Sequence, residues 1–92
     1  MERDIERKLV QKLKEQGCKA LKYSNPNEAG YPDRLVLTPK GTAFWVEVKQ
    51  PGAYLRPLQK VRKAELERMG FSVFVCKTDF DIKMICEYAG TL

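Results

Sequence analysis

Seven consecutive residues, Ala43-Phe44-Trp45-Val46-Glu47-Val48-Lys49, constrain the fold more than any other stretch of this chain. β-Branched and aromatic residues dominate the run, which favours an extended strand. Side chains alternate across a strand, so Phe44, Val46 and Val48 form one wholly apolar face that has to be buried. Ala43, Trp45, Glu47 and Lys49 share the other face, where the tryptophan also needs cover. The run should be a central strand. A carboxylate and an ammonium two residues apart are costly there unless they are paired or bound to a metal.

The remaining segments supply the layers. In residues 3–16, Ile5, Leu9, Val10 and Leu13 follow a helical spacing, and Gly17 terminates the helix. A short strand is expected over 20–24, followed by a loop over 25–32 rich in Asn, Pro and Gly. Leu35 to Thr38 reads as a second strand. Pro39-Lys40-Gly41 is a turn, so the strand over 43–49 returns antiparallel. Pro51-Gly52 closes it, and Pro57 suits the first position of a second helix. That helix runs to Met69, with Leu58, Val61, Leu66 and Met69 expected inward, and Gly70 ends it. Residues 71–76 read as a strand and 79–88 as a last helix carrying Phe80, Ile82, Met84 and Ile85. The order α-β-β-β-α-β-α implies an α/β sandwich: a central mixed sheet flanked by helices, with a parallel, right-handed crossover between 43 and 76.

With 92 residues, one domain spanning 1–92 is expected. A chain this short buries only about 60–65% of its unfolded surface, and dimerisation would enlarge its thin core. No apolar run approaches the roughly 20 residues that span a bilayer. The start, Met1-Glu2-Arg3-Asp4-Ile5-Glu6, lacks an apolar leader segment, so a soluble, cytoplasmic protein without membrane association is expected. The net charge of +5 favours a polyanionic partner. Cys18, Cys76 and Cys86 are odd in number and widely spaced, and read as reduced core residues. Histidine is absent, which excludes Ser-His and Cys-His triads and histidine-ligated zinc hydrolases. Any metal must be held by carboxylates and carbonyls, as suits Mg2+ or Mn2+.

Asp33 makes the Glu-x-Lys pattern specific. Gly30 and Pro32 shape a tight entry into the preceding strand. If the two strands form a hairpin, Asp33 and Lys49 lie near the same open end. Two carboxylates converging there, with a lysine beside them, would make a divalent-cation site. The first helix offers a third carboxylate. At about 100° per residue, Ile5, Leu9, Val10 and Leu13 fall within an arc of about 140°, and Glu6 lies inside it. Glu6 could complete the metal site, or its charge could simply favour the helix start; Glu2, on the same side, is the alternative ligand. Gln59, in the first turn of the second helix, could face the strand ends and hydrogen-bond a water or phosphate.

Taken together, Gly30-Tyr31-Pro32-Asp33-Arg34, Phe44-Trp45-Val46-Glu47-Val48-Lys49 with Pro51-Gly52, and Leu58-Gln59 resemble the VRR-NUC domain. This is the virus-type replication-repair nuclease branch of the PD-(D/E)XK superfamily, and the likeness is to its minimal stand-alone bacteriophage form. It covers roughly residues 5–76. The resemblance implies a restriction-endonuclease-like fold and metal-dependent phosphodiester hydrolysis leaving a 5′-phosphate and a 3′-hydroxyl. Asp33 and Glu47 match the metal-binding carboxylates, the Val48 carbonyl a further ligand, Lys49 the catalytic lysine and Gln59 the glutamine of the following helix. Glu6 matches the first-helix glutamate, in a segment also similar to that of archaeal Holliday junction resolvases. Two departures bear on DNA contacts: the loop before Gly30 reads Asn27-Glu28-Ala29 rather than basic, and Arg56 precedes Pro57 where Ser or Thr is usual.

The expected function is therefore a Mg2+- or Mn2+-dependent, structure-selective DNA endonuclease. Relatives of this kind imply a homodimer that resolves four-way (Holliday) junctions, acting in the bacterial host cytoplasm if phage-encoded. Lys22, Arg34, Arg56, Lys60 and Lys63 are candidates for phosphate contacts, and Tyr54 for stacking on an opened base. The rival expectations are a flap or nicking nuclease, a DNA-binding module that does not cut, and a small interaction protein whose charges are all surface.

Overall fold

The computed structural model describes residues 2–92, with side chains from Asp4 onward. The elements are α1 (Glu2–Glu15), β1 (Lys19–Lys22), β2 (Arg34–Leu37), β3 (Ala43–Val48), α2 (Pro57–Arg68), β4 (Val73–Cys76) and α3 (Asp79–Thr91). They form one four-stranded sheet in the order β1-β2-β3-β4. β1, β2 and β3 are successively antiparallel, and β4 runs parallel to β3. β3 is thus internal, as expected for this run.

The alternation of β3 divides the interior into two cores. Phe44, Val46 and Val48 join Val36 and Cys76 of the neighbouring strands in one core, closed by Leu9 and Leu13 of α1 and Ile82, Ile85 and Ala89 of α3. The periodic apolar stripe of α1 builds this layer, and Gly17 ends the helix at φ +82°. The Cys18 amide then bonds back to the Leu13 carbonyl at 3.0 Å, which satisfies a carbonyl left open by the helix end. On the opposite face, Trp45 packs with Leu66 of α2 and Val73 of β4, beside Tyr23, Tyr31 and Leu35.

This second core corrects the expected inward face of α2. Only Leu66 is buried in that helix; Leu58, Val61 and Met69 are 43%, 55% and 69% exposed. The reason lies in what fills the space beneath it. The 23–33 segment brings Tyr23 and Tyr31 against Trp45, with ring centroids 5.2 Å and 6.4 Å from the indole. α2 therefore meets a polar-edged aromatic layer, and it turns Arg62 rather than Val61 towards Tyr31. In α3, Ile82 and Ile85 are buried while Phe80 and Met84 are exposed. All three cysteines are free; Cys18 and Cys76 are buried, and Cys86 is half-buried. Among the described residues, no helix is long and apolar enough to cross a membrane.

Candidate active site

The β2–β3 hairpin fixes the central pair of carboxylates. Its register sets Arg34 opposite Val46 and Leu35 opposite Trp45. One step towards the open end, Asp33 comes opposite Glu47, and directly opposed residues project from the same face. Asp33 is held from both sides. Its carbonyl accepts the Tyr23 amide at 2.7 Å, and its Oδ2 accepts the Val48 amide at 3.1 Å. Glu47 is buried, at 3% exposure.

Pro32 explains why a side chain replaces the ladder at this point. A further step along the register brings position 32 opposite Val48, and proline has no N–H to donate. The strands part there, the Asp33 carboxylate takes over the Val48 amide, and the Val48 carbonyl receives no ladder hydrogen bond from position 32. Two carboxylates and a backbone carbonyl without that donor are thereby gathered at one end of the hairpin. All are hard oxygen donors, the set that suits Mg2+ or Mn2+. Among the described residues, no group of three or more acidic, histidine or cysteine side chains is placed to hold a metal ion.

Lys49 lies one residue beyond β3, and its amide bonds to the Cys76 carbonyl at 3.0 Å. Parallel pairing sets Val48 beside Cys76, so Lys49 and Lys77 leave the sheet together at the C-terminal ends of β3 and β4. Loops at the C-terminal ends of parallel strands are where α/β proteins commonly bind ligands. Tyr54 lies on the loop after β3, 81% exposed, and the Lys77 ammonium sits 4.9 Å from its ring centroid.

Other expected site residues are placed differently. Glu6 and Arg34 are brought to each other. Glu6 Oε2 accepts from Arg34 Nε at 3.0 Å and lies 2.9 Å from a terminal guanidinium nitrogen, while Arg34 also donates to the Ala20 carbonyl at 3.0 Å. Both side chains are mostly buried, at 22% and 16% exposure. Arg34 follows Asp33 in the strand and so projects from the opposite face. The buried-face position of Glu6 thus has a partner that helix geometry did not reveal, and Arg34 is committed within the protein rather than free for phosphate. Glu2 lies outside the residues whose side chains are described. Gln59 Oε1 accepts the Arg56 amide at 2.8 Å; it serves as half of a capping box where Arg56 lacks a capping hydroxyl, leaving its amide nitrogen for other partners. Lys22, Arg56 and Lys60 are exposed, and Lys63 pairs with Glu67 at 2.8 Å.

One cluster escaped the sequence reading. Arg62 donates to the Ala29 carbonyl at 2.9 Å and lies 4.8 Å from the Tyr31 ring centroid. Tyr31 in turn donates to Glu65 at 2.8 Å and lies 3.2 Å from a Glu28 carboxylate oxygen. The hydrogen bond to Glu65, then burial, push the Tyr31 hydroxyl pKa up to about 12. No spacing rule signals this group, since its members lie on a loop and a helix more than thirty residues apart.

The mixed four-stranded sheet with helices on its faces is the architecture of the restriction-endonuclease-like class. Comparison with known proteins specifies the family: residues 1–80 match the model of the VRR-NUC domain, and the chain belongs to that nuclease family. It is 39% identical over 74 residues to "Putative nuclease p44" of Acyrthosiphon pisum secondary endosymbiont phage 1, an alignment covering 80% of each chain. It also superimposes on a solved VRR_NUC domain with a TM-score of 0.88 and 25% identity, covering 95% of both chains. The family and the mixed-sheet fold expected from the sequence are thereby borne out.

Proposed function

We propose that this nuclease is a Mg2+- or Mn2+-dependent, structure-selective DNA endonuclease that resolves four-way junctions as a homodimer. The observation that supports the reading is the hairpin register, which sets Asp33 opposite Glu47, together with the Asp33 Oδ2 hydrogen bond to the Val48 amide next to Lys49. The Asp33 and Glu47 carboxylates and the Val48 carbonyl would hold the cation directly. Glu6, engaged with Arg34, would brace α1 against β2. A bound divalent ion supplies a water of lowered pKa and polarises the scissile phosphate.

The chain's own groups do the rest. Lys49 orients or deprotonates the attacking water, or steadies the charge building on the phosphorane. The Val48 amide holds the Asp33 carboxylate in place, so its free oxygen is oriented before a cation arrives. The Gln59 amide nitrogen would hydrogen-bond a water or phosphate at the start of α2. Lys22, Arg56, Lys60 and Lys63 would contact the DNA backbone, which positions DNA without reading its sequence. Tyr54, backed by Lys77, would stack on a base opened at a branch point. The exposed apolar residues Leu58 and Val61 of α2 and Met69 just after it support the dimer, in which a two-fold axis would set two sites on opposing strands of a symmetric junction.

The deciding experiment offers labelled four-way junction, flap and linear duplex to the purified protein with Mg2+ or Mn2+, beside Lys49→Ala. Junction cleavage lost in the variant is expected. Equal cutting of all three substrates would overturn junction selectivity alone, and preferred cutting of the flap would make this a flap nuclease. Binding without cleavage under either metal would make the protein a DNA-binding module.

A further inference from the structure

We propose that Arg62 is a positioning residue for the candidate active site, clamping the loop that delivers Asp33 onto α2 and so setting the carboxylate's geometry. The clamp has contacts along the whole approach to Asp33. Arg62 holds the Ala29 carbonyl through Nε and covers the Tyr31 ring. Its terminal nitrogen lies 3.9 Å from Glu28 on the loop and 3.7 Å from Glu65 on its own helix. Tyr31 closes the circuit by donating to Glu65. The Arg62 side chain is only 19% exposed, so its pairs are screened less than open surface pairs.

Gly30 shows how closely the two elements meet. It stands at φ +93°, and a Cβ added there would lie 2.7 Å from Leu58 Cγ and 3.2 Å from both the Leu58 carbonyl and Arg62 Cγ. The loop is thus seated on the first two turns of α2, the same turns that carry Gln59. Three residues later the chain reaches Asp33, whose carboxylate must meet the Val48 amide at 3.1 Å. An arginine suits this role because its planar fork can stack on a ring while donating in its own plane; lysine cannot do both.

The Val48 amide reports the position of Asp33 with no metal present, since Asp33 Oδ2 is its acceptor. The experiment compares amide hydrogen exchange and Mn2+ titration for the wild type, Arg62→Ala, Arg62→Lys and Tyr31→Phe. In Arg62→Ala, Val48 exchange should quicken about tenfold while Phe44 and Val46, deeper in the hairpin, keep their rates. Mn2+ affinity should fall by about 10–100-fold, as for loss of a group that orients a ligand. Arg62→Lys should give an intermediate result, and Tyr31→Phe a smaller effect of the same kind. A folded Arg62→Ala with Val48 exchange and Mn2+ affinity both unchanged would overturn the proposal. If that variant does not fold, unchanged Val48 exchange in Tyr31→Phe would overturn it instead. The metal arm rests on the function proposed above, and the exchange arm does not: a wild type that binds no Mn2+ refutes that function and the metal role of the clamp, while Val48 exchange still decides the clamp itself.

Discussion

Lys49 and Asp33 have separable tasks, and single substitutions should show this. Lys49 is half-buried at the strand end, and its side chain makes no hydrogen bond or ion pair among the described residues. Lys49→Ala should therefore leave the fold and Mn2+ affinity intact while lowering kcat by about 10²–10⁴-fold. Asp33→Asn keeps an oxygen for the Val48 amide but loses the charge, and should weaken Mn2+ binding as well as cleavage; titration and single-turnover kinetics would separate the two effects. Tyr31 gives a pH signature. Its pKa rises from 10 to about 12 because the neutral hydroxyl donates to Glu65. A raised folded pKa means that this contribution to stability is whole below pH 10 and is lost as pH climbs from 10 to about 12. Tyr31→Phe should remove that loss from a pH series of urea unfolding curves. At this scale the sequence was legible where chemistry and alternation coincide, as at Asp33, Glu47 and Lys49. It was not legible where a partner comes from another element. Helix geometry placed Glu6 on the buried side, but Arg34 as its partner depends on how α1 crosses β2.

β3 was readable because both of its faces are written in its composition, and Phe44, fully buried between α1 and α3, anchors it. α2 was not, because the layer beneath it is aromatic and polar-edged. The helix consequently turns Arg62 and Glu65 inward and leaves Val61 out, against the apolar periodicity. Stability measurements can check this assignment. Leu66→Ala should cost about 2–5 kcal/mol, as for a buried leucine, whereas Val61→Ala should stay within about 0.5 kcal/mol. Gly30→Ala should destabilise by about 1–3 kcal/mol, since it meets both a positive φ and the Leu58 backbone. Equal costs at positions 61 and 66 in urea unfolding would contradict the orientation of α2 described here.

The molecule as a whole carries a net charge of +5. The strand ends place Lys49, Lys77 and Tyr54 on one rim, and the start of α2 adds Arg56 and Lys60. DNA affinity should thus fall steeply with salt, by about 0.9 in log–log slope for each phosphate contact. Lys60→Ala should reduce that slope by about one without changing substrate preference, as fluorescence anisotropy across a salt series would show. The topology that creates this rim was foreseeable from segment order, since a strand-helix-strand unit returns parallel. How such a rim would engage the proposed branched substrate would depend on the proposed pairing of two copies, which no single-chain pattern encodes. The proposed cation site can be tested more directly. Crystals soaked in Mn2+ should show anomalous density between Asp33, Glu47 and the Val48 carbonyl, at about 2.0–2.2 Å from each oxygen by analogy with Mg2+. Density at another place, or carboxylates that turn away from a vacant hairpin end at saturating Mn2+, would contradict it.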